Sequence, residues 1–205
     1  GHSNTVWGFA LFGEDKYLAS GSFDNTVIVW NLETMQQEAT LQGHSNSVYC
    51  LAVAGKYLAS GSGDNTVRVW NLEKMQEEGM LEGHSRTIES LAVVGNGKYL
   101  ASGSFDNTVI IWNLQTMKQE ALLGNHLGAI RYLYALEGGK YLASASRDAT
   151  VRIWNLQTMQ QEAILEGHSD SVEYLVAADD YLVSASVDTT IRVNQLKHDY
   201  RGSLE

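Results

Sequence analysis

A chain of 205 residues, 44% hydrophobic and 19% charged, is long enough to bury a core, and it holds no run near the roughly 20 apolar residues a membrane-spanning helix needs. Its formal net charge of −10 disfavours nucleic acid and anionic membrane as partners, since both need clustered Lys and Arg. Cys50 is the only cysteine, which excludes a disulfide within the chain and points to a reducing, intracellular and cytoplasmic setting.

Along the chain, five similar segments open at Gly1-His2, Gly43-His44, Gly83-His84, Asn125-His126 and Gly167-His168, in steps of 42, 40, 42 and 42 residues. Trp-Asn pairs beginning at Trp30, Trp70, Trp112 and Trp154 keep the same pace, and Asn194 stands where a fifth Trp belongs. The repeats fall at about 1–42, 43–82, 83–124, 125–166 and 167–201. The start inside a repeat reads as an excised piece, and 202–205 as a cloning scar.

The second repeat shows the elements of one unit. Residues 47–53 alternate in polarity and suit a strand, as do 56–62; Asp64, Asn65 and Thr66 form a tight turn into 66–72, and 74–81 returns as a fourth strand. Val, Ile, Tyr and Trp fill the strands, while Gly and Asn cluster between them. Long helical faces are absent, so the class is all-β.

This period, bounded by Gly-His and Trp-Asn, resembles that of the WD-repeat family, with Asn where the family carries Asp after Trp. The resemblance implies a β-propeller of five four-stranded antiparallel blades. It also implies a hydrogen-bonded tetrad in each blade. The matching residues are His44, Ser60 or Ser62, Asp64 and Trp70 in the second repeat, and His84, Asp106 and Trp112 in the third. In the fourth they are His126, Asp148 and Trp154, and in the fifth His168 and Asp188. His, Ser and Asp together suggest nucleophilic catalysis, but five copies suit a structural staple better than five active sites. A buried Asp is tolerable only when paired, and His and Ser supply the donors. No Cys or His lies at metal-ligand spacing, and no Gly-rich phosphate loop precedes a helix. A non-enzyme with neither metal nor cofactor is expected.

Where near-identical repeats disagree, function has room. By the family motif, the narrow top face carries the residue five after each repeat His, namely Trp7, Tyr49, Glu89, Arg131 and Glu173. It also carries the residue before each tetrad Asp, namely Phe23, Gly63, Phe105, Arg147 and Val187. Trp7, Phe23, Tyr49 and Phe105 offer aromatic anchors, and Arg131 and Arg147 a local cationic spot on an acidic protein. An acidic or phosphorylated segment suits the arginines and an apolar one the aromatics. In the competing reading the aromatics fill gaps between blades and the arginines pair with Glu89 and Glu173. The Met at 35, 75, 117 and 159 reads as turn packing.

The expected function is a protein-interaction scaffold that binds a peptide or protein on its top face. The alternative is a self-assembling repeat array with no dedicated ligand. A five-blade ring must turn about 72° per blade against about 51° for seven. Either a steep closed monomer or two chains joined through their end blades into a ten-blade ring would cover the apolar end faces; the packing argument places assembly slightly ahead.

Overall fold

The computed structural model describes residues 1–178 and 180–196. The chain folds as a β-propeller of five antiparallel sheets in sequence order. Blade one contains β1 (Val6–Phe12), β2 (Tyr17–Ser22), β3 (Thr26–Asn31) and β4 (Gln36–Gln42). Blade two contains β5 (Val48–Ala54), β6 (Tyr57–Ser62), β7 (Thr66–Asn71) and β8 (Gln76–Glu82). Blade three contains β9 (Ile88–Val94), β10 (Tyr99–Ser104), β11 (Thr108–Asn113) and β12 (Lys118–Gly124). Blade four contains β13 (Ile130–Leu136), β14 (Tyr141–Ser146), β15 (Val151–Asn155) and β16 (Gln160–Leu165). Blade five contains β17 (Val172–Ala178), β18 (Tyr181–Ser186) and β19 (Ile191–Gln195). Four strands were expected in every blade; the fifth has three among the described residues, and its expected last strand lies outside them, as does 202–205. Among the described residues no helix is long and apolar enough to cross a membrane.

The turns explain the strand limits. Asn25, Asn65 and Asn107 take the left-handed φ of 71°, 71° and 72° that the turn from the second to the third strand requires, a conformation Asn tolerates better than most residues. Ala149 and Thr189 are forced into it in blades four and five. In blade two the last strand begins at Gln76 rather than at 74, because Met75 is still in the turn with φ 50°.

The core lies between blades. Ala59, Val67, Val69 and Leu81 on the front of blade two pack against Ile88, Leu100 and Trp112 on the rear of blade three. The same pattern joins Val27, Val29 and Leu41 to Val48, Leu58 and Trp70, and Val109 and Ile111 to Ile130, Leu142 and Trp154. Val151 and Ile153 meet Val172, Leu175 and Leu182 in the fourth interface. Trp70, Trp112 and Trp154 are each 2% exposed. Trp30, expected to be equally buried, is only half-buried, since among the described residues no blade covers the rear of blade one. The front of blade five is also uncovered: Val193 is 62% exposed where its counterpart Val69 is 0%. The closed five-blade monomer would cover both faces; among the described residues each is open.

Candidate protein-binding face

Each blade is tied together by a chain of hydrogen bonds. In blade two the Trp70 indole donates to Ser60 Oγ at 2.8 Å, Ser60 Oγ meets His44 Nε2 at 2.8 Å, and His44 Nδ1 meets Asp64 Oδ2 at 2.8 Å. Asp64 also accepts from the Ser45 and Thr66 backbone amides and the Thr66 hydroxyl. Of the two candidate serines, Ser60 joins the chain. The Ser62 hydroxyl instead donates to the Asn46 carbonyl and accepts from the Asp64 amide. The pattern recurs with His84, Ser102, Asp106 and Trp112, and with His126, Ser144, Asp148 and Trp154. Blade one carries a full set of His2, Ser20, Asp24 and Trp30. In blade five His168 meets Asp188 at 2.8 Å and Ser184 at 3.0 Å, and Asn194 supplies no indole.

These contacts set the carboxylates' electrostatics. Burial raises the Asp64, Asp106 and Asp148 carboxyls, but bonds from His44, His84 and His126 and from the Thr66, Thr108 and Thr150 hydroxyls outweigh it and hold them well below the usual range. At Asp188 the Thr190 hydroxyl is the main lowering influence. In blades one to four the serine hydroxyl is engaged by both the His ring and the Trp indole, and the Asp carboxylate by the loop it holds. Burial pushes the Cys50 thiol upward, away from the thiolate form.

The Asn of each Trp-Asn pair has a local task that the sequence alone did not reveal. Asn71 Oδ1 accepts from the Glu73 and Lys74 amides, closing the turn, and Nδ2 donates to Glu78 Oε2 at 3.1 Å. Asn31, Asn113 and Asn155 repeat this with Glu38, Glu120 and Glu162.

Trp7, Tyr49, Glu89, Arg131 and Glu173 share a further feature. Each sits where the pairing of its blade's first strand slips by one residue against the second. A bulged residue leaves the ladder, and such bulges re-aim side chains. All five line one central cavity of about 360 Å³. The five-residue spacing from each repeat His located the positions; the bulge behind them has no single-residue signature in sequence.

Two clusters form there. The Trp7 ring stacks on Phe23 at 5.8 Å, and Phe23 meets Tyr49 at 5.2 Å; Trp7 is 59% exposed, while Phe23 and Tyr49 are half-buried. Across the cavity Arg131 donates from Nη1 to Glu89 at 2.7 Å and from Nε to Glu173 at 2.9 Å. The pairing reading therefore holds for Arg131. Arg147 is exposed, and its guanidinium lies 4.8 Å from the Phe105 ring centre, with Arg131 5.5 Å from the same ring. Burial raises the Glu89 carboxyl in spite of Arg131 and Arg147. Burial also raises that of Glu173, but bonds from Ser171 and Arg131 bring it below the ordinary range.

The family described as "WD domain, G-beta repeat" matches residues 1–31, 35–71, 75–113, 117–155 and 159–193. A 54-residue stretch, 26% of the chain, is 39% identical to "Transcription initiation factor TFIID subunit 5" of Encephalitozoon cuniculi (strain GB-M1). The aligned stretch spans 10% of that relative's length. With five matches, each taking in the first two strands of one blade and reaching into its third, the chain belongs to the WD40 family.

Proposed function

We propose that the protein is a non-catalytic scaffold, intracellular and acting without metal or cofactor, that binds a peptide or protein segment on its top face. The supporting observation is the run of Trp7, Phe23 and Tyr49, in which Phe23 touches both other rings and Trp7 is exposed, together with an exposed Arg147 whose guanidinium lies 4.8 Å from the Phe105 ring centre. Rigid aromatics bury large areas at low entropic cost and dominate binding energy at interfaces. An apolar side chain fits the aromatic run, and a carboxylate or phosphate fits Arg147. Arg131 serves instead to neutralise Glu89 and Glu173 and so shapes the cavity. Nucleic acid and membrane stand outside this reading, given the net charge of −10. The named role of the TFIID relative in an assembly agrees with it.

The test is capture of partners by immobilised wild type against a triple variant, Trp7→Ala, Tyr49→Ala and Arg147→Ala. All three side chains are at least partly exposed, so the variant should keep its far-UV circular dichroism. Partners lost with the folded variant support the reading; equal capture overturns it.

A second reading, a self-assembling array in which two chains pair through their end blades, is favoured by a separate observation: the apolar faces left uncovered on blades one and five.

A further inference from the structure

Three of the four internal interfaces are one interface repeated: two β-branched residues of a front face meet a Leu, a tetrad Trp and a turn Met on the rear of the next blade. In the fourth, Val151 and Ile153 meet Val172, Leu175, Leu182 and Leu196 instead. Val27 and Val29 face Leu58, Trp70 and Met75; Val67 and Val69 face Leu100, Trp112 and Met117. All four β-branched residues are 0% exposed.

The two ends of the propeller carry the unmatched halves of this series. On blade five, Ile191 and Val193 occupy the positions of Val67 and Val69, and both are exposed, as is Val176 on β17. On blade one, Phe9, Leu18, Trp30 and Met35 line a hollow of about 430 Å³. Leu18, Trp30 and Met35 are the counterparts of Leu58, Trp70 and Met75, which are covered in blade two. Contiguous exposed apolar surface of this kind marks an interaction site.

We propose that the front of blade five docks on the rear of blade one of a second copy, head to tail, continuing the internal series across chains. The occupant follows from continuity: a rear face of Leu, Trp and Met like that of blade one is met three times within the chain by a β-branched front face like that of blade five. Two front faces brought together would lack the Trp and turn Met that fill the groove in the first three interfaces. The contact is therefore heterologous, and it closes into a ring when the blade angles allow. This inference rests on the self-assembly reading and adds its polarity and residues.

Two variants at exposed positions separate the possibilities: Val193→Glu on the front and Phe9→Glu on the rear. Neither side chain is buried in the single chain, so circular dichroism and urea midpoints should match wild type. Light scattering across a concentration series should give wild type at least twice 22.6 kDa, each variant alone 22.6 kDa, and an equimolar mixture a one-to-one pair. The mixture restores one intact front and one intact rear, which only a head-to-tail contact can exploit. Wild type at 22.6 kDa throughout would overturn this contact and the assembly reading together. Assembly that survives in either variant, or a mixture that stays single, would overturn the head-to-tail contact and leave assembly through another surface standing.

Discussion

Asn71 Nδ2 donates to Glu78 Oε2 at 3.1 Å while Asn71 Oδ1 caps its own turn, so one amide side chain serves as donor and acceptor at once. An aspartate keeps the cap but turns a carboxylate oxygen toward Glu78 in place of the amide. Asn71→Asp is expected to destabilise the protein by about 1–2 kcal/mol, because a 2%-exposed donor is exchanged for a like charge. Adding Glu78→Gln should recover most of the loss. Urea unfolding of the two singles and the double measures the coupling directly, and a double no better than Asn71→Asp alone contradicts the pairing.

The tetrads predict a second loss. Asp106→Ala removes the acceptor for His84, the Ser85 amide and the Thr108 hydroxyl. Leaving a buried ring nitrogen unpartnered costs about 1–3 kcal/mol. Equilibrium urea unfolding should show a lower midpoint with the slope unchanged; a midpoint equal to wild type would remove the stapling role.

Thr189 offers a gain. It occupies a turn position at φ 69°, where blades one to three place Asn. A β-branched residue is strained there, and Thr189→Asn should stabilise by about 0.5–1 kcal/mol. Since blade five also lacks the tetrad indole, the benefit should appear first as slower amide exchange in β17–β19.

Acid should unfold the protein through the tetrads. Asp64, Asp106 and Asp148 have folded pKa values below their unfolded value of about 3.9, so they bind fewer protons when folded. Their contribution is complete above that value and is lost as the pH falls from there through the folded values. Glu89, raised by burial, works in the opposite sense over its own range. Urea midpoints followed downward from about pH 6 should stay level and then fall in the aspartate range, and Asp106→Asn should fall less steeply. An equally steep fall in that variant would assign the acid sensitivity elsewhere.

The blades were legible in the sequence because Gly-His, Trp-Asn and the strand alternation recur at a fixed step, and each needs only local chemistry to read. The tetrad partners were legible for the same reason, apart from the choice between Ser60 and Ser62. Those two lie on the same face of one strand, and only the depth of His44 separates them. The role of Arg131 was half legible: its sign and that of Glu89 and Glu173 are in the sequence, but their meeting depends on strands some 42 residues apart converging on one cavity. Trp30 misled for a related reason. Its repeat position promises burial, and burial depends on a neighbouring blade that the position cannot supply.

The sameness of the blade contacts also bears on descent. The first three junctions use one residue set, Val or Ile against Leu, Trp and Met, so that set by itself does not fix the number of blades. Duplication or loss of one unit of 40 or 42 residues among them would again bring a front and a rear of these residue types together. Such a chain can change length in one genetic step without passing through a misfit intermediate, and the top-face residues, which play no part in the junctions at Val67, Val69 and Trp112, are then free to diverge blade by blade.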